Sequence, residues 1–161
     1  MLNSTVDSVN SALKRARAGL KRRGPRIADN GPRPAPDSRS EDALVAKFAR
    51  AYGSADLDAL VALLTDDVFV SMPPIALEYQ GRDAVARLFV SIFRAGRKFD
   101  LIPTRANGQP AFGAYLRAPT GKRHGTGLVV LTLTGDRIGG MTRFDSNVLR
   151  WFGLPASLPS G

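Results

Sequence analysis

Between Gly24 and Ser40 the chain carries Pro25, Pro32, Pro34 and Pro36 among Gly, Asp, Ser and Arg, with almost nothing apolar. Proline fixes φ and brings no N–H donor, so this run can join neither a helix interior nor a central strand. It reads as a stiff, extended linker. The chain is thereby split unequally. A helix-sized segment precedes the linker, and residues 41–161 follow it, enough for one domain of ordinary size.

In the first segment Val6, Val9, Leu13, Ala16 and Leu20 recur on one face of a helix that Gly24-Pro25 ends. Ser4 or Thr5 can cap its start, and Lys and Arg gather toward its C-terminal end, where they complement the helix dipole. The net charge of +9 is concentrated here: residues 1–39 hold nine Lys/Arg against three Asp, a balance of +6, and the remainder holds +3. Such a segment suits a polyanion-facing arm, or it is a solvated basic tail. A lone helix of this length is marginal in water. Its apolar stripe is expected either to fray or to dock elsewhere on the molecule.

Hydrophobic residues make up 43% of the chain, and no apolar run approaches the roughly 20 residues needed to span a bilayer, so no membrane partner is expected. Zero cysteines remove disulfides and thiolate chemistry, and a single histidine removes a multi-histidine zinc centre. We expect a cytoplasmic protein with no metal and no cofactor. Past the linker, Ser40-Glu-Asp-Ala opens a helix that Gly53 stops, and Asp56 caps a second, Leu57 to Leu64. Val68–Met72 reads as a strand ending at Pro73-Pro74, and Gly81-Arg-Asp83 starts a third helix. Strand-like runs follow at Phe99–Arg105, Ala111–Leu116, Gly127–Leu133 and Arg137–Phe144, with turns at Asn107-Gly108 and Gly135-Asp136. Three helices and a meander of antiparallel strands make an α+β pattern.

Two resemblances attach to these residues. Val9-Asn-Ser-Ala-Leu-Lys-Arg-Ala-Arg17, with Leu20, resembles the recognition helix and basic turn that end region 4 of extracytoplasmic-function sigma factors. Ala55–Val68, Met72-Pro-Pro74, Tyr79-x-Gly-Arg-Asp83 and Gly135-Asp-Arg-Ile138 resemble the SnoaL-like family, whose cone-shaped nuclear transport factor 2-like fold packs three helices on a curved antiparallel sheet. Met72-Pro-Pro74, Pro103–Phe112 and Phe152–Pro155 together are similar to the C-terminal extension of some of those sigma factors. The implied organisation is a region 4 remnant over 1–23, linker over 24–40, SnoaL-like domain over 41–155 and tail over 156–161. The resemblance also implies that the chain belongs to a longer protein, with Met1 internal to it.

On this reading the domain is regulatory, with RNA polymerase core or sigma domains and promoter DNA as partners. Thr5, Asp7, Ser8, Lys14, Arg15 and Arg17 are then the DNA-facing candidates. The alternative is a stand-alone enzyme (isomerase, cyclase or epoxide hydrolase) or a binder of a small apolar ligand; homodimerisation is expected from the resemblance alone. Enzymes of this fold need an acid or base in the cone. In the epoxide hydrolases that resemble the domain, an Arg-x-Asp on a middle strand and an Asp on the last strand serve. Here those positions fall near Tyr115 and Arg117, and near Arg143, so that set is missing. The remaining catalytic candidates are Asp145, which can equally cap the C-terminal turn, His124, which can equally be solvated, and Tyr115, which can equally be core. Met72, Tyr79, Arg105, Asn107, Gln109, Tyr115 and Arg143 are the candidates for a ligand pocket, with Asn107-Gly108 also a turn signal.

Overall fold

The computed structural model describes residues 6–22, 34–36, 38–73 and 75–159. Ser4, Thr5 and most of the proline-rich run lie outside the described residues, as do the side chains of Ala16, Arg17 and Leu20. Val6–Arg22 form α1. Val9 and Leu13 are buried and Ala12 joins them, while Val6, on the same sequence stripe, is exposed.

The next helix, α2 (Arg39–Gly53), starts two residues earlier than the sequence suggests, because Ser38 caps it: its hydroxyl accepts from the Glu41 amide at 3.2 Å. Asp56 caps α3 (Leu57–Ala62) as expected, accepting from the Ala59 amide at 3.1 Å. The first strand, β1, runs from Leu64 to Met72, and an additional strand, β2 (Ile75–Gln80), follows it directly. Gly81, at φ 90°, turns the chain into α4 (Arg82–Ile92). After a 3-10 turn (Arg94–Gly96) come β3 (Phe99–Ala106), β4 (Gln109–Arg117), β5 (Arg123–Thr134), β6 (Arg137–Asp145), a 3-10 segment (Ser146–Phe152) and the short β7 (Ser157–Leu158).

The strands lie in the order β2-β1-β6-β5-β4-β3, with β7 on β5. All pairs are antiparallel except β1 and β6, which run parallel. The sheet is therefore mixed rather than purely antiparallel: β1 joins it after a crossover through α4, which a meander alone does not provide.

Both faces of the sheet are covered. On the inner face Leu44, Phe48, Leu60, Val85 and Phe89 pack on Phe112, Val129, Leu131 and Met141, and Phe48 stacks on Phe112 with ring centroids 5.7 Å apart. On the outer face Val9 and Leu13 of α1 join Tyr115, Leu128, Val130, Phe144, Val148 and Leu149. Of the two outcomes expected for the first helix, docking is the one observed. An antiparallel sheet commonly leaves one face to water; here a dimer through the outer face would have to displace α1 and the 3-10 segment.

Candidate functional site

A cavity of about 310 Å³ opens on the inner side of the sheet. Every layer contributes to it: Tyr52 from α2, Met72 from β1, Tyr79 from β2, Leu88 and Ile92 from α4, Phe99 from β3, Leu116 from β4, Thr126 from β5 and Arg143 from β6, with Arg97 also on its wall. Strand parity explains the strand positions. Side chains alternate across a strand, so Leu116 and Arg143 face inward while their neighbours Tyr115 and Phe144 face α1.

A β-bulge sets the polar end. Gly125 pairs with Tyr115 and Gly127 with Ala114, leaving Thr126 as the extra residue. Such bulges bend a strand and re-aim what it carries. The Thr126 hydroxyl donates to the Ala114 carbonyl at 3.0 Å, and the Thr126 carbonyl accepts from Arg143 Nη2 at 2.8 Å. Gly127 leaves the guanidinium its room, since a Cβ there would stand 3.2 Å from Arg143 Nη2. Tyr52 is buried beside it. Desolvation pushes its phenol up to about 12, with the positive charge of Arg143 pulling the other way. Tyr52 therefore stays a neutral hydroxyl through the physiological range.

That shift has a measurable consequence. A phenol that ionises less readily in the folded chain contributes stability below its unfolded pKa of 10.0, and this is lost as pH rises toward about 12. Denaturant titrations of the intact chain should show stability falling across that window. Tyr52→Phe should flatten the fall by about 3 kcal/mol, the equivalent of a two-unit shift. Tyr115, also raised by burial, stays in both proteins. Identical pH profiles would refute the assignment.

Of the pocket residues named from sequence, Met72, Tyr79 and Arg143 line the cavity. The others do not. Arg105 pairs with the buried Glu41 at 2.7 Å and donates to the Gly108 carbonyl; it braces β3 to α2. Asn107, at φ 54°, is turn backbone. Gln109 is buried and donates to the Leu131 carbonyl and Thr132 hydroxyl, both at 3.0 Å. Tyr115 lies on the outer face, its hydroxyl donating to the Pro155 carbonyl at 2.7 Å.

The catalytic candidates fall outside the cavity as well. His124 is exposed within β5, not in a loop, and pairs in register with Leu116 and Ser157. Asp145 is exposed, and although it stands at the N-cap position of the 3-10 segment, its side chain makes no capping bond. Arg117 is tied to Asp100 at 2.7 Å, and that hydrogen bond leads in holding the Asp100 carboxyl below its usual range, with Arg123 adding to it. Sequence reasoning missed Tyr52 and Thr126 as wall residues. Tyr52 reads as ordinary helix core, and a bulge leaves no mark in a single strand.

Among the described residues no cluster of His, Asp or Glu could hold a metal ion, and no helix is long and apolar enough to cross a membrane. Asp7, Ser8, Lys14 and Arg15 lie on the exposed side of α1; Thr5 lies outside the described residues.

A family model described as SnoaL-like domain matches residues 45–140, most of the sheet, most of α2 and all of α3 and α4. The chain belongs to the SnoaL-like family. Over 159 residues it is also 40% identical to the ECF RNA polymerase sigma factor SigG of Mycobacterium tuberculosis, in strain CDC 1551 and in strain H37Rv alike. That match covers 96% of this chain and 42% of the relative, so the chain spans less than half the length of the curated relatives it matches. Among solved structures, an NTF2-like protein of unknown function from Mesorhizobium loti superposes with a TM-score of 0.58 at 19% identity, over 71% of this chain and 98% of that one. An LEH-like epoxide hydrolase of M. tuberculosis does so with a TM-score of 0.53 at 19% identity, over 68% and 85%. At such identities the likeness carries the fold alone. Arg143 stands among the residues that line the cavity of this SnoaL-like domain, and no Asp, Glu or His is found among the described ones.

Proposed function

We propose that this chain is the C-terminal part of an extracytoplasmic-function sigma factor, whose SnoaL-like domain regulates transcription initiation through contacts with sigma elements or RNA polymerase. The observation that carries the reading is the seating of α1. The segment that resembles the region 4 recognition helix lies on the outer face of the sheet, with Val9 and Leu13 inside and Asp7, Ser8, Lys14 and Arg15 outside. The match to the sigma-factor relative runs across helix and domain together, which supports treating the two as one unit. The outward basic side chains remain free to meet phosphates. Val9 and Leu13, part of the apolar stripe that a helix-turn-helix would use for its own packing, are occupied by the sheet. In the complete polypeptide the partners are RNA polymerase and promoter DNA, a role that belongs in the cytoplasm.

A stand-alone enzyme would need a general acid or base at the cavity. Its named candidates, Asp145 and His124, point elsewhere. Run-off transcription with core RNA polymerase tests the regulatory reading: the complete polypeptide is compared with one ended before Ser40. Promoter-directed initiation should differ by about fivefold or more, the lower end of ordinary coupling between sites. Equal yields would overturn it.

A further inference from the structure

The inner cavity brings together a cation and a phenol whose hydrogen-bonding capacity the described residues leave largely unused. Arg143 spends one hydrogen bond on the Thr126 carbonyl and meets no carboxylate among the described residues. Its guanidinium carries five N–H donors in a rigid fork that matches a carboxylate. Tyr52, at 5% exposure, makes no hydrogen bond to another described residue. The Tyr52 ring is buried while the residue lines the cavity, and a partly buried charge without a counter-ion is costly. Both face one space, whose remaining walls are mostly apolar: Met72, Leu88, Ile92, Phe99 and Leu116.

From this juxtaposition we infer that the cavity binds a small monocarboxylic acid with an apolar tail, its carboxylate on Arg143 and Tyr52 and its tail between α4 and the sheet. The volume, about 310 Å³, stands at the low end of small-molecule pockets. A medium-chain or single-ring acid fits this space. The bulge at Thr126 and the bare Cα of Gly127 together hold the guanidinium in place, so the anion site is built into the sheet rather than carried on a loop. The inference concerns the cavity alone and stands whether or not the domain regulates transcription.

Calorimetry of the intact chain with octanoate and with octan-1-ol tests it. The two probes share a tail and differ in charge. Octanoate should bind about tenfold or more tightly than the alcohol, the difference expected of one charge-assisted hydrogen bond. Arg143→Met should erase that difference while leaving the alcohol's affinity in place, Arg143→Lys should restore part of it, and Tyr52→Phe should weaken octanoate severalfold. Equal binding of the two probes by the unaltered chain, or failure of octanoate to bind at millimolar concentration, overturns the inference without recourse to any variant. Retention of full octanoate affinity by Arg143→Met does so as well.

Discussion

Leu13→Ala is expected to loosen α1 from the sheet by about 3 kcal/mol, within the usual range for truncating a buried leucine. Leu13 is 2% exposed and joins Val9 and Ala12 in the outer apolar cluster, with Phe144, Val148 and Leu149 on the sheet side. An isolated helix of this length has little stability of its own, so its order depends on that contact. Amide hydrogen exchange resolves the effect, because the helix can open without the rest of the domain. Amides in residues 6–15 should exchange about a hundredfold faster in the variant, the equivalent of 3 kcal/mol, with those of β5 and β6 far less affected. Val6→Ala is the control. Val6 lies on the same periodic stripe yet is 38% exposed, and its truncation should stay within about 0.5 kcal/mol. Unchanged exchange in the Leu13 variant would mean that α1 is not held by this face, and the proposed regulatory contact would lose its support.

The sequence made the helices legible through their punctuation. Gly53, Asp56, Pro73 and Gly81 each mark a real boundary, and Asn107-Gly108 is a real turn, both residues taking positive φ. What the sequence hid was pairing. β2 follows two prolines and is an edge strand with Ile75 and Leu77 exposed, so it lacks a clean inward alternation. The parallel seat of β1 beside β6 depends on residues about seventy positions apart, which no local pattern encodes. The coverage of both sheet faces left a trace, the unbroken apolar run Leu128–Leu131 in β5, although the identity of the covering element did not. The site divides the same way. Tyr79 and Arg143 were within reach as polar groups on inward strand positions. Arg105, Asn107 and Gln109 cluster in sequence but are spent on an ion pair, a turn and a backbone clamp. Thr126 enters the wall only because a bulge shifts the register of β5 against β4.

Gly127→Ala is expected to destabilise the domain by about 3 kcal/mol, the upper end of ordinary overpacking costs. A Cβ on Gly127 would lie 2.4 Å from the Phe144 carbonyl oxygen, a backbone atom held in the β5–β6 ladder, with Arg143 also within 3.3 Å. Neither strand can move without disturbing the other, since both are buried on both sides. Gly125→Ala is the informative comparison. Its nearest obstacle, at 2.5 Å, is Leu149 Cδ1, the end of a side chain that can rotate away, although the Ala156 carbonyl stands at 3.0 Å. We expect that variant to lose about 1 kcal/mol. Urea denaturation of the two proteins measures the order directly. The Gly127 variant should also bind octanoate more weakly under conditions where it remains folded, because the added methyl displaces the guanidinium from the Thr126 carbonyl. Should Gly127→Ala prove as stable as the unaltered chain, the close approach of β5 to β6 would be wrong, and the cradle for Arg143 with it. A loss of stability with octanoate affinity intact would instead separate the two, leaving the packing sound and moving the anion site elsewhere in the cavity.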